Sequence, residues 1–222
     1  MFEEVPGAIE SKVLDGLARI ATVMKGETWQ VAGEMGLTPT QVQILKLLHL
    51  RSQEVVRMSE VARELSVTPA TASDAVGALI RKGLVARTLS PQDARAFVLT
   101  LTEAGAAQAN RLVQWPASLL EAAGTLAPGE QAAMTRCLIK MIRSLQEQGQ
   151  ILPARMCVNC RYFRPHSYPG SNTPHHCAFV DAPFGDRNLR VECPDYERAE
   201  PQLADRNWST FIRAQSQSDS SL

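Results

Sequence analysis

The chain has 222 residues, 23 Lys+Arg against 23 Asp+Glu, and 45% apolar residues, which allows one domain with an appendage or two small domains and excludes a wholly disordered chain. Zero net charge excludes a uniformly basic nucleic-acid coat but not a DNA reader with a local basic edge. No apolar stretch approaches the ~20 residues of a membrane span, and the opening Met-Phe-Glu-Glu-Val-Pro-Gly has no signal-peptide pattern; a cytoplasmic protein without a membrane partner is expected.

Rare residues divide the chain. Four of five cysteines, three of four histidines and eight of twelve aromatics follow residue 150, leaving Phe2, Trp29, Phe97 and Trp115 as the aromatics before it. The expected organisation is therefore residues 1–150 as a helical domain, 151–208 as a Cys-rich extension, and 209–222 as a flexible Ser/Gln-rich tail. Pro153 marks the first boundary, because it cannot continue a preceding helix.

In chain order, Ile9, Val13, Leu17, Ile20 and Met24 predict an amphipathic helix over Ala8 to Met24. Thr38-Pro39 opens a capped helix to about residue 50, with Val42, Leu45 and Leu48 on its apolar face. Ser59 is read as the cap of a short helix to Leu65, and Thr68-Pro69 as the start of another that runs to Lys82 and ends at Gly83. Two short helices joined by a tight turn make a helix-turn-helix. The second buries Ala72, Val76, Leu79 and Ile80, and offers Ala70, Thr71, Ser73, Asp74, Gly77 and Arg81 on its other face. Those small or polar groups suit the edges of a major groove, where the Asp74 carboxylate could accept from a cytosine amino group.

Leu84 to Arg87 and Ala96 to Leu101 have strand length and flank a turn-rich segment with Pro91 and Asp93. This predicts a two-stranded wing with Arg87 at its base and Arg95 at its tip, both able to reach phosphates or the minor groove. Thr102 caps a further helix, expected to continue to about Ala123 with a bend at Trp115-Pro116, and a last amphipathic helix covers Pro128 to about Gln148. The expected class is mainly α: a winged helix-turn-helix with long dimerisation helices and a small irregular Cys-rich C-terminal extension. No phosphate loop, nucleotide fingerprint or Cys–His nucleophile pair is present, so an enzyme is not expected.

Residues 37 to 105 resemble the MarR family of winged-helix transcriptional regulators. The resemblance rests on Leu37-Thr-Pro-Thr-Gln-Val-Gln-Ile-Leu45, Ser59-Glu-Val-Ala-Arg-Glu-Leu65, Val67-Thr-Pro-Ala-Thr-Ala-Ser73, Leu79-Ile-Arg-Lys-Gly-Leu-Val-Ala-Arg87, Asp93-Ala-Arg-Ala96 and Leu99-Thr-Leu-Thr-Glu-Ala-Gly105, all in order. It implies a homodimer with interleaved first and last helices, and a helix from Thr68 in the major groove with Arg95 in the minor groove. Such dimers read pseudo-palindromic double-stranded operators with half-sites ~10 bp apart. Asp74 departs from the family pattern, so a target sequence does not carry over. The resemblance also implies a pocket near Trp29 and Trp115 for a small aromatic effector; by their composition alone these tryptophans read as core.

Cys157, Cys160, Cys177 and Cys193 form one C-x-x-C followed by two isolated cysteines, the last before Pro194. In a reducing compartment clustered thiols point to metal or redox chemistry rather than disulfides. Structural zinc sites usually pair two knuckles, whereas iron–sulfur centres accept scattered cysteines and a closing Cys-Pro. Cys157-Val-Asn-Cys160-Arg-Tyr-Phe163 with its two long gaps also resembles the ligand segment of high-potential iron–sulfur proteins, implying a [4Fe-4S] cluster, with Zn2+ as the alternative. Arg155, Arg161, Arg164, Arg187 and Arg190 would offset the thiolate charge. His175 and His176 sit beside Cys177, where one could replace a thiolate as ligand, but with four cysteines available they read as outer-shell donors; His166 reads as a loop residue, and Cys137 as a buried small apolar residue. The combined expectation is a repressor whose operator affinity follows the state of the cluster, sensing redox state, oxygen, nitric oxide or iron. The alternatives are a repressor with structural zinc and an aromatic effector, and an electron-transfer protein tethered to a winged helix.

Overall fold

The computed structural model describes the backbone of residues 8–52, 54–90, 93–112 and 116–219, and the side chains of all these except 8, 90, 93–96 and 214–219. It divides into two compact units, Met1–Thr125 and Leu126–Leu222. The seam lies one helix earlier than the expected boundary at 150. The helix after it packs its apolar face on the Cys-rich segment, so contacts override composition.

In the first unit, α1 (Ala8–Glu34) runs ten residues beyond the expected end at Met24. Gly26 does not stop it, and the Thr28 hydroxyl donates to the Met24 carbonyl one turn back (2.6 Å). In α2 (Pro39–Leu50), Thr38 Oγ1 accepts the Gln41 N–H (3.3 Å) and Gln41 Oε1 accepts the Thr38 N–H (3.2 Å), a reciprocal cap. The next helix, α3 (Met58–Glu64), starts at Arg57 rather than Ser59, because Glu60 reaches back to the Arg57 N–H (2.7 Å) and satisfies that donor. In α4 (Pro69–Arg81), Thr68 Oγ1 accepts the Thr71 N–H (3.1 Å). Gly83 follows with φ +69°, where an L side chain would be strained.

The wing is antiparallel, β1 (Val85–Ser90) against β2 (Asp93–Leu101), with Val85 opposite Leu101 and Thr88 opposite Val98. Leu99 donates to the Val56 carbonyl (2.9 Å), tying the wing to the helical core. The rest of the unit is α5 (Glu103–Asn110) and α6 (Ala117–Gly124), and the expected bend at Trp115 lies outside the described residues. Gly105 is required: a Cβ there would overlap the Leu84 carbonyl oxygen. Val42, Ile44, Leu45, Leu48, Val61, Ala72, Val76 and Leu79 form the aliphatic core. Ile80, expected inside, is 37% exposed at the end of α4.

The second unit opens with α7 (Pro128–Glu147). A 3-10 turn over Cys157–Asn159 precedes a three-stranded antiparallel sheet, β3 (Phe163–Arg164), β4 (His175–Cys177) and β5 (Ala182–Phe184). The chain closes with α8 (Pro201–Asp219), helical well beyond Ser209 where a flexible tail was expected. Fully buried Phe211 explains the difference: its ring packs 6.1 Å from Phe163 and 5.9 Å from Trp208, and this tertiary anchor outweighs the polar composition. Cys137, expected buried, is exposed on α7. Among the described residues no helix is long and apolar enough to cross a membrane.

Candidate nucleic-acid interface and cysteine cavity

Burial of Ala72, Val76 and Leu79 turns the other face of α4 outward. Thr68, Ala70, Thr71, Ser73, Asp74 and Arg81 are all exposed there. Arg87 is exposed on β1 and its guanidinium lies 3.8 Å over the Phe97 ring on β2. That cation–π contact fixes the direction of a flexible side chain. Phe97 was not singled out from the sequence, although its place opposite Leu89 in the hairpin carries the signal. Arg95 lies on the backbone of β2, but its side chain and the wing tip at 91–92 fall outside the described residues. Trp29 is not core: it is 61% exposed and lines an open groove of about 470 Å3 with Thr38, Gln41, Thr71 and Asp74.

In the second unit Cys157, Cys160, Cys177 and Cys193 line a single cavity of about 150 Å3, walled also by Tyr162, Phe163, Phe179 and Phe184. Local structure brings them in from three directions. The 3-10 turn sets Cys157 and Cys160 together, as the Cys160 N–H donates to the Cys157 carbonyl (2.9 Å). Cys177 sits in β4 between Phe163 and Ala182, and the Cys193 N–H is held by the Arg155 carbonyl (3.1 Å). Among the described residues no three His, Cys, Asp or Glu side chains are grouped tightly enough to hold one ion. The four cysteines share a cavity without forming a tight ligand group.

Asp195 and Arg190 both line the cavity, 4.0 Å apart, and it is Arg190 that is aimed at the sulfurs. Its backbone N–H donates to Cys157 Sγ (3.3 Å) and its guanidinium lies 3.8 Å from Cys193 Sγ. Arg161 and Arg164, expected to share this task, are engaged elsewhere: Arg161 pairs with Glu197 (3.0 Å), and Arg164 donates to the carbonyls of Arg161 (2.6 Å) and Phe163 (3.0 Å). Arg155 is buried and donates to the Pro194 carbonyl (2.8 Å). Burial pushes the Cys157 thiol up to about 11; the Arg190 N–H pulls the other way, and the Cys193, Cys160 and Cys177 sulfurs add to the rise. Without a cation this thiol keeps its proton at neutral pH, and any cation bound there would have to displace it.

The described bonds of His175 and His176, expected as outer-shell donors at the cysteines, go to other partners instead. His175 is fully buried, accepts the His166 N–H at Nδ1 (3.2 Å), and so carries its proton on Nε2 toward Asp186 Oδ1 (2.9 Å). Asp186 Oδ2 meets Arg136 of α7 (2.5 Å). His176 bridges the Tyr168 hydroxyl (3.1 Å) and Asp181 (3.2 Å). His166 has a left-handed backbone (φ +51°), and its ring lies 4.8 Å from that of His175.

Residues 35–96 match the family model described as MarR family. The winged helix is of the MarR type. Transcriptional regulator AdcR of Streptococcus pneumoniae is 37% identical over 70 residues, covering 32% of this chain and 46% of its own. The match thus spans about half the length of that curated relative. The DNA complex of MepR from Staphylococcus aureus has a TM-score of 0.51 at 25% identity, covering 58% of this chain and 93% of MepR. The DNA complex of FabT from Streptococcus pneumoniae has a TM-score of 0.53 at 22% identity, covering 63% and 99%, a likeness of fold. Of these, AdcR is named a transcriptional regulator, and MepR and FabT are seen in complex with DNA.

Proposed function

We propose that this protein is a homodimeric, non-catalytic transcription regulator, a repressor, that binds a pseudo-palindromic DNA operator. Its affinity for the operator depends on a [4Fe-4S] cluster held by Cys157, Cys160, Cys177 and Cys193. The DNA half is supported by the exposed face of α4, the Phe97-braced Arg87, and the DNA complexes of MepR and FabT. Thr71, Ser73, Asp74 and Arg81 would meet base edges, and Thr68, Arg87 and Arg95 the backbone or minor groove.

The observation that carries the regulatory half is the convergence of four cysteines, drawn from three separate segments, on one cavity. A cavity of about 150 Å3 lined by the four cysteines and by aromatic rings has room for a multi-atom centre, and the two isolated cysteines with a closing Cys193-Pro194 favour a cluster over zinc. Bound there, the cluster would supply an inorganic centre sensitive to redox state, oxygen, nitric oxide or iron supply. The chain does the rest: Arg190 offsets thiolate charge, aromatic walls exclude water, and the ligand turn and β4 share one anchor only while the sulfurs are held together.

Protein prepared without air is expected to be brown, with about four iron and four sulfide per chain. Exposure to oxygen or nitric oxide should weaken operator binding about five- to 150-fold. Binding unchanged in a Cys157→Ser, Cys160→Ser double variant would remove the regulatory half and keep the DNA half. A second reading, a small aromatic effector, is favoured by the Trp29 groove next to α4; phenolic ligands releasing DNA from that same double variant would support it.

A further inference from the structure

Helix α7 has two faces. One buries Ala132 and Ile139 within the second unit; the other leaves Met134, Cys137 and Leu145 exposed. On the inner face, Arg143 and Gln146 stand one turn apart and close on Asn159, which lies between two cysteines of the cavity. Arg143 Nη1 donates to Asn159 Oδ1 (2.8 Å), and Asn159 Nδ2 donates to Gln146 Oε1 (3.2 Å) and to the Ala154 carbonyl (3.2 Å). The Asn159 carbonyl also accepts the Ala199 N–H (3.0 Å), at the entry to α8.

Both ends of this contact are held. Gln146 Nε2 donates to the Leu152 carbonyl (3.2 Å), which orients its Oε1 toward Asn159. The remaining Arg143 donors reach Glu147 (2.7 Å) and Asp205 (3.3 Å). Asn159 is buried, so its amide exchanges these partners for nothing if the turn shifts, and an abandoned buried polar group costs more than a typical hydrogen bond returns. The Asn159 backbone lies in the 3-10 turn that carries Cys157, and Cys160 follows it directly. A change in how those two sulfurs are held therefore reaches Asn159 through two peptide units from Cys157 and one from Cys160.

We infer that Asn159 is a positioning residue that converts ligation of Cys157 and Cys160 into ordering of α7, through Arg143 and Gln146. This rests on the cluster reading above and names the element that responds to it. The coupling is local and two-state: a turn held at both sulfurs keeps Asn159 seated, and a turn released at them does not. Such an element is the physical requirement for communication between sites.

The test compares full-length wild type with Arg143→Met, which keeps the apolar stem and loses the guanidinium, and with Asn159→Ala. Each is loaded with iron and sulfide without air, and amide hydrogen exchange is read with and without the cluster. In wild type, loading should raise protection across residues 139–147 about tenfold or more; in either variant it should change that protection less than about threefold. The double variant should add nothing further, as for two ends of one contact. Operator affinity, measured on the same samples, should lose its dependence on loading in both variants.

Variants that load the cluster and still protect α7 as wild type does would overturn the inference and leave the cluster reading intact. So would an Arg143→Met protein that cannot load, because the contact would then build the ligand turn rather than report on it. A wild type that takes up no iron and sulfide would end the cluster reading and this inference with it. A wild type whose α7 tightens on loading while operator affinity stays constant would support the inference and refute the regulatory function.

Discussion

In the first unit Val42, Ile44, Leu45, Val61, Val76 and Leu79 are wholly removed from solvent, and branched aliphatic chains meet with few polar groups among them. In the second, a smaller set, Ile139, Met156, Val158, Phe163, Leu189 and Phe211, shares the interior with Arg155, Asn159, His175 and Asn207. The first stands on apolar burial, at roughly 25 cal/mol per Å2. The second stands on directed polar bonds and ring contacts around a cavity, and a segment with so little apolar interior gains from an inorganic staple. The contrast teaches that two units of one chain can be stabilised by different means, so that a change in the polar bonds of the second need not loosen the aliphatic core of the first.

Three changes would break or sharpen that contrast. The largest is Phe163→Ala. Its ring touches Phe184 (6.0 Å), Phe211 (6.1 Å) and His175 (5.3 Å), so truncation should destabilise the second unit by about 3–5 kcal/mol. Urea unfolding followed by exchange should show the second unit melting early and the winged helix unmoved. Equal shifts in both would mean that the units are one cooperative block.

Asp186→Asn comes next. Burial pushes the Asp186 carboxyl up, but hydrogen bonds from His175 and Arg136 outweigh it and hold the group below the usual carboxylate range. A carboxyl lowered in the folded state contributes stability above its unfolded pKa and loses it as pH falls through the folded value. The second unit should therefore weaken below about pH 4, and Asp186→Asn should cost about 1.5–3 kcal/mol at pH 7 while flattening that acid slope. Thermal melts from pH 3 to 7 check both. An unchanged acid slope would assign it to other carboxylates.

The smallest is Thr68→Ala. It deletes the cap on the α4 N–H groups and should cost about 1 kcal/mol, confined to the first unit, with a modest loss of operator affinity in gel shift. A larger loss of DNA binding than of stability would mean that the Thr68 hydroxyl also contacts phosphate.

Local chemistry made the winged helix legible. Thr38-Pro39, Thr68-Pro69, Gly83 and Thr102 are caps whose bonding partners lie within a few residues, so sequence order alone predicts α2, α4, the wing and α5. The misplaced features depend on distant partners. Ser59 looked like a cap until Glu60 proved to serve Arg57, and the end of α8 depends on Phe211 meeting Phe163 across the unit. The cysteine spacing predicts inorganic chemistry and the structure brings the four residues to one cavity, but the grip of Arg143 on Asn159 has no short-range signature, since 16 residues separate its ends. Trp29 and Cys137 were misjudged for a related reason: helical spacing marks an apolar stripe without saying whether the same chain covers it.

The seam between Thr125 and Leu126 also bears on how this gene can be cut. Ending the product at codon 150, where composition changes, would strip the cover from Ile139 and leave Arg143 facing water without Asn159 or Asp205. The fragment would carry a naked greasy rod and invite clumping. Cutting at codon 125 keeps α7 with the segment that covers Ile139, and a graft that begins at Leu126 would carry the four-cysteine cavity to a new host together with that helix.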